Sequence, residues 1–217
     1  VTLFSDLYPN RDLISRQFFT NPGTTNIVAP AGAAFIRVSA VGAGGFTAFG
    51  AGTGFRFGGG AAFARTLTAC AAGDHYDVQV GDIAHTSGAG DALGDSKVTK
   101  VVGGAVIVNA DRGRGTGAPN KGLAANCVGD VKRDGSDGGA FGPGGSSAGD
   151  DADLIQLGFG GPGIGRSAAE GGAREPASYP GAGGASSVFV ELGESYSGLV
   201  PGNGMVCVEF FKTNPGY

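Results

Sequence analysis

Between two strand-like stretches, FIRVSAV (Phe35 to Val41) and AFARTLT (Ala62 to Thr68), the chain runs GAGGFTAFGAGTGFRFGGG from Gly42 to Gly60. No other feature restricts the fold as much. A segment that is nearly half glycine has few side chains with which to build a core. It also loses more conformational freedom on ordering than any other composition. Yet Phe46, Phe49, Phe55 and Phe57 stand within it. Glycine accounts for 45 of the 217 residues. It keeps no Gly-X-Y register, which excludes a collagen triple helix, and it disfavours α-helix almost everywhere.

A second glycine-rich region, from about Asp111 to Gly184, contains DGSDGGAFGPGGSSAGDD and GFGGPGIGRSAAEGGAREP. A structureless loop of that length is rare inside a compact domain, so the region is expected to have order of its own. Charged residues make up 16% of the chain and the mean hydropathy is +0.06. A disordered chain combines low hydrophobicity with high net charge, and this one does not.

Between the glycine tracts, period-2 runs of β-branched and aromatic residues mark strands. They are Arg16 to Thr20, Asn26 to Ala29, Phe35 to Val41, Ala62 to Thr68, Tyr76 to Val80, Ser96 to Val102, Val106 to Asn109, Ser187 to Leu192 and Met205 to Phe211. Turn signals separate several of them, among them Asn21-Pro22-Gly23, Pro30-Ala31-Gly32, Gly73-Asp74 and Gly103-Gly104. In the third run Ile36, Val38 and Ala40 form the expected core face. About nine short strands and no convincing helix predict an all-β sandwich, with residues 17–217 as one domain and residues 1–16 as an attachment segment or linker.

Glycine tracts have one known packing solution. Extended left-handed helices of three residues per turn make no internal hydrogen bonds. Without side chains, several can lie side by side and satisfy their backbones through one another. The sandwich would clamp such helices at one end, and the four phenylalanines would fill the core of the layer.

FFTNPGTTNIVAPAGAAFIRVSAVGAGG (Phe18 to Gly45), AAGDHYDVQVGD (Ala71 to Asp82), VVGGAVIVNADRGRGTG (Val101 to Gly117) and GMVCVEFF (Gly204 to Phe211) resemble the glycine-rich domain of phage tail-fibre and adhesin proteins. The resemblance covers nearly all of the chain after about residue 17. It implies a β-sandwich of jelly-roll or TNF-like type with inserted polyglycine-II-type helices. It further implies a virion surface protein whose loops recognise a bacterial surface polysaccharide or an outer-membrane protein, alongside other virion fibre proteins. Fibre components are commonly trimers, so a homotrimer and a monomeric tip both remain open.

Other function classes find less support. A net charge of -4 and no Lys/Arg run longer than Lys132-Arg133 lack the electrostatic footprint of a nucleic-acid binder. No GxxxxGK[ST] motif occurs, and no helix is expected after the glycine tracts, so nucleotide binding is not signalled. His75 and His85 are the only histidines, and His75 is read as an exposed turn residue rather than a catalytic base. Cys70, Cys127 and Cys207 are odd in number and widely spaced, and Cys207 reads as a buried free thiol. The acids of Asp134 to Gly138 and of Gly149 to Asp153 lack calcium-loop spacing and read as solvated turns. No apolar stretch approaches membrane-spanning length, and VTLFSDLYPNRDL is not patterned as a signal peptide.

No cofactor, metal ion or catalytic residue is therefore expected, and binding is the function that the composition supports best. Backbone groups on glycine loops, arginine forks and aromatic faces suit sugars or protein loops. The candidate contacts are Arg112, Arg114, Asp150, Asp151, Asp153, Arg166, Arg174 and Tyr179. Two further readings stand beside this one: a purely structural decoration or fibre subunit, and an enzyme that cleaves polysaccharide with paired carboxylates.

Overall fold

A computed structural model describes residues 12–45, 48–50, 54–56, 58–86, 91–115, 119–137 and 202–216. Eleven strands are present among them. They are β1 (Leu13–Phe19), β2 (Gly23–Val28), β3 (Phe35–Val41), β4 (Ala48–Gly50), β5 (Gly54–Arg56), β6 (Phe63–Ala69), β7 (His75–Val80), β8 (Ser96–Lys100), β9 (Val106–Ala110), β10 (Val131–Arg133) and β11 (Met205–Phe211). The helical elements among the described residues are three-residue 3-10 turns, Ile83–His85, Ala92–Gly94 and Ala124–Asn126. No helix among the described residues is long and apolar enough to cross a membrane.

Nine of these strands form two antiparallel sheets, a five-stranded sheet in the order β1-β11-β3-β6-β10 and a four-stranded sheet in the order β2-β7-β8-β9, and β4 and β5 pair separately. One apolar cluster joins them. Ile36, Val38, Ala40, Ala64, Val206, Val208 and Phe210 from the first sheet meet Ile27, Tyr76, Val78, Val80, Val98, Val108 and Ala110 from the second. The alternation of β3 thus directs Ile36, Val38 and Ala40 into the core, as the sequence pattern predicts. The Tyr76 and Phe210 rings, one from each sheet, sit 6.3 Å apart.

The opposite face of the five-stranded sheet is buried as well. Val41, Ala61, Phe63, Met205 and Cys207 form a second apolar cluster there. In the neighbouring row the register sets Arg16 and Arg37 on either side of Glu209. Glu209 is 1% exposed and accepts from Arg16 Nη2 and from Arg37 Nε, each at 2.7 Å. Burial pushes its carboxyl up, but the Arg37 and Arg16 guanidinium groups outweigh that and hold it below the usual carboxylate range.

Several elements differ from the sequence expectation. Val101 and Val102 do not extend β8; they belong to a turn closed by Lys100 N–H donating to Ala105 O at 2.9 Å. Gly103 and Gly104 (φ 89° and 64°) turn the chain back, and the left-handed backbone they adopt is available to glycine at little cost. His75 is the first residue of β7 rather than part of the preceding turn, with Nδ1 3.3 Å from Asn26 Oδ1. Leu13 to Arg16, assigned to a leading segment, pair with β11 as part of the edge strand β1. The strand expected at Ser187 to Leu192 lies outside the described residues. Within Gly42 to Gly60 the chain makes a short hairpin, with Phe49 opposite Phe55 in β4 and β5. Phe46 and Phe57 lie outside the described residues, and of Phe49 and Phe55 only the backbone is described.

The register also gives the molecule two poles. Val41, Phe63 and Met205 are partners at one end of the five-stranded sheet. That end is tied to the four-stranded sheet by Gly204 N–H donating to Gly81 O (2.9 Å) and by Ala62 N–H donating to Asp111 O (2.9 Å). The other pole holds the Phe35–Phe211 and Leu13–Phe211 pairs. Lys212 there donates from its backbone to Asp12 O, and the Thr213 hydroxyl bonds the Asp12 carboxylate.

Candidate functional site

Beyond the strand ends of the first pole, the glycine-rich segments run outside the strands, and their backbones bond in several directions at once. Ala43, Gly44 and Gly45 donate in turn to Gly94, Gly202 and Gly59 (2.9, 2.9 and 2.8 Å). Gly113, Arg114 and Gly115 donate in turn to Ala43, Asn120 and Thr86 (2.8, 2.7 and 3.0 Å). Gly59 reaches Arg114, Gly60 reaches Ser136, Gly122 reaches Gly60 and Gly135 reaches Gly122. A strand in a sheet has two neighbours in one plane. Here three consecutive residues address three different segments.

Such bonding requires backbones to approach where side chains would stand. A Cβ on Gly113 would lie 2.0 Å from Gly59 O and 2.6 Å from Gly45 N, and one on Gly59 would lie 2.2 Å from Asn120 O. One on Gly45 would lie 2.3 Å from Arg114 O and one on Gly135 2.1 Å from Gly60 O. Their neighbours are backbone atoms of other segments, so no side-chain adjustment makes room. The glycine content of these segments is therefore a packing requirement of a buried layer.

Of the candidate contacts, Arg112 and Arg114 are brought together, and both turn into this layer. Arg112 Nη1 meets Asp95 Oδ1 at 2.9 Å and Asp111 Oδ1 at 3.8 Å. Arg114 Nη2 donates to both oxygens of Asp111 (3.0 and 3.1 Å), and its Nη1 donates to Lys121 O at 2.9 Å. Asp111, 2% exposed, is the centre of the cluster. Its Oδ2 also accepts from Leu123 N (2.8 Å) and Asn126 Nδ2 (3.0 Å). Burial pushes the Asp95 carboxyl upward, and this outweighs the opposing pull of Arg112. The spacing Asp-Arg-Gly-Arg in the sequence carried a signal for the Asp111–Arg114 pair; the Asp95 partner comes from a different segment and carried none.

Asp134 and Asp137, considered as calcium oxygens, are anchors in the same layer. Asp134 Oδ1 accepts from Ala124 N at 2.7 Å and its Oδ2 meets Lys121 Nζ at 3.3 Å, and these bonds hold its carboxyl below the usual range. Asp137 Oδ1 accepts from Asn120 N (3.0 Å) and Lys121 N (3.3 Å). Among the described residues no group of three or more His, Cys, Asp or Glu side chains is arranged to hold a metal ion. Cys70, Cys127 and Cys207 are all free thiols. Burial raises Cys127 to about 11 and Cys207 to about 12, so neither is a nucleophile near neutral pH.

Asp150, Asp151, Asp153, Arg166, Arg174 and Tyr179 lie outside the described residues. The residues that bracket that part of the chain are both fixed in the glycine layer: Asp137 through Asn120, and Gly202 through its carbonyl to Gly44 N. No protein-family model matches the chain, and no curated protein is significantly similar to it.

Proposed function

We propose that the chain is a virion surface recognition module, a phage fibre-tip or spike adhesin that binds a bacterial surface polysaccharide or an outer-membrane protein. In this reading the bonded segments are polyglycine-II-type helices set on a jelly-roll-like sandwich. They form a rigid platform, and the chain between Asp137 and Gly202 carries recognition from it.

The observation that carries the reading is the bonding of consecutive residues to three different segments. It is the pattern expected where side-by-side helices of three residues per turn replace internal hydrogen bonds with lateral ones. A preorganised platform reduces the ordering cost of binding.

The test is decoration of cells. Purified, labelled protein is expected to stain a susceptible bacterial strain and not its receptor-deficient mutant; failure to stain any susceptible strain refutes the reading. One observation favours the structural alternative, a fibre or decoration subunit without a receptor. Arg112 and Arg114, two of the expected contacts, are engaged inside the layer. On that alternative, replacing Tyr179 leaves adsorption unchanged.

A further inference from the structure

At one edge of the four-stranded sheet, beside the glycine layer, the ends of β2 and β7 and two 3-10 turns enclose a cleft of about 130 Å³. Thr24, Gln79, Asp82, His85 and Leu93 line it. The register places Thr24 directly opposite Gln79 on neighbouring strands. The turns follow from sequence. Asp82 caps Ile83–His85 by accepting from Ala84 N at 2.9 Å, and Asp91 caps Ala92–Gly94 by accepting from Leu93 N at 2.9 Å. Asp82 N–H donating to Leu93 O (3.0 Å) locks the two turns together.

Gln79, Asp82 and His85 are each held by hydrogen bonds through one side-chain atom and keep a second polar atom unengaged among the described residues. Gln79 Nε2 donates to Ala92 O (3.0 Å) and Asp95 O (3.1 Å), which leaves its Oε1 as an acceptor. Asp82 uses Oδ1 for the cap and keeps Oδ2. His85 Nδ1 faces Asp91 Oδ2 at 2.9 Å, so Nε2 is the ring nitrogen left over. The Thr24 hydroxyl adds a donor and acceptor, and Leu93, 52% exposed, adds an apolar surface.

We propose that this cleft is a glycan subsite for one neutral hexopyranose ring. Several fixed acceptors and a hydroxyl beside one apolar side chain match a sugar ring, which has hydroxyls around its rim and C–H groups on its face. The volume suits a single ring rather than a drug-sized ligand. The Asp82 carboxylate lies in the cleft and repels an anionic sugar such as a uronic acid, which selects neutral rings. The proposal rests on the recognition reading for the source of the glycan, but the cleft chemistry stands apart from the loops beyond Asp137.

Titration of the full chain with the methyl glycosides of glucose, galactose, mannose, N-acetylglucosamine and glucuronic acid, followed by amide NMR, tests it. At least one neutral glycoside is expected to shift the amides of Gly23, Gln79, Asp82 and Leu93 saturably, with a Kd on the order of 1–10 mM, about -4 to -3 kcal/mol. The glucuronide is expected not to. D82N retains an oxygen for the cap and is expected to weaken binding about tenfold, the loss of one charged hydrogen bond. T24V, at an exposed strand position, is expected to weaken it severalfold with the fold unchanged. Absence of shifts in these amides with every neutral sugar, equal binding of the glucuronide, or unchanged affinity in both variants overturns the subsite. Cell staining that persists in T24V and D82N while those titrations fail removes the subsite and leaves the recognition reading standing. Failure of staining alone does the reverse.

Discussion

Gly113→Ala tests directly whether the glycine segments are a close-packed layer. The added methyl would stand 2.0 Å from Gly59 O and 2.6 Å from Gly45 N. Those two atoms are the acceptor and donor of one hydrogen bond, at 2.8 Å, so the methyl lands inside it. Ordinary contact requires both segments to part by more than about an ångström. That movement breaks the Gly45–Gly59 bond and strains Gly113 N–H to Ala43 O, also 2.8 Å. Two buried donor–acceptor pairs left unmade, at about 1–3 kcal/mol each, give a destabilisation of roughly 4 kcal/mol. For a chain of this size that corresponds to a fall in Tm of roughly 8–16 °C. Gly104→Ala is the internal comparison. Its φ is 64° with no atom near the added Cβ, so it incurs only a backbone penalty of about 1 kcal/mol. Urea unfolding followed by far-UV circular dichroism measures both. A Gly113→Ala cost no larger than that of Gly104→Ala would refute the packing argument.

Two further outcomes follow from the charged groups. Asp111→Asn removes the charge that holds Arg114 and weakens the acceptor for Leu123 N, and is expected to destabilise by about 3 kcal/mol, read by the same unfolding curves. Glu209, Asp74 and Asp134 all have folded carboxyl groups held below their ordinary values. The unfolded chain therefore takes up protons first on acidification. Their contribution is fully present above the unfolded range of about 4 and is lost as pH falls through the folded values, whereas the raised Asp95 works in the opposite sense. Stability is expected to drop below about pH 4, and Glu209→Gln to flatten that limb; an unchanged acid limb in Glu209→Gln would contradict the assignment.

How much of this was legible in the sequence depends on where each signal lies. β3 and β11 were readable to the residue because alternation, burial and flanking turns agree. β10 is three residues, Val131–Arg133, that pair with the edge of β6; nothing in so short and polar a run announces a strand, and its partner fixes it. Val101 and Val102 have strong β propensity, yet the two glycines after them impose a turn and leave Val102 75% exposed. The burial of Ser39 and Glu209 on the outer face of the five-stranded sheet is a tertiary effect that no local pattern encodes, whereas the apolar run around Cys207 did announce a buried free thiol.

The candidate site was legible in kind but not in detail. Glycine content pointed to backbones packed against one another, and the close approaches at Gly45, Gly59 and Gly113 show such packing, whereas the hairpin at Phe49 and Phe55 interrupts the tract where no turn signal had been read. Arg112 and Arg114 stood out as charges in glycine-rich sequence. Their partner Asp95 lies on the far side of β8 and β9 in the chain, so their inward role depends on a contact that only the folded layer creates. The cleft of Thr24, Gln79 and Asp82 was not foreseen, since its residues come from separate strands and a turn and each alone is an ordinary surface residue.

Amide hydrogen exchange resolved by residue is the measurement closest to the central claim, that the glycine segments form part of the cooperative fold. The amides of Ala43, Gly45, Gly59, Gly113, Gly122 and Gly135 all donate to other segments. They are expected to exchange within roughly an order of magnitude of Val38 and Val208 in the sandwich core, the behaviour of one cooperative unit. Exchange of these glycine amides at unprotected rates, while Val38 and Val208 remain protected, would contradict the claim.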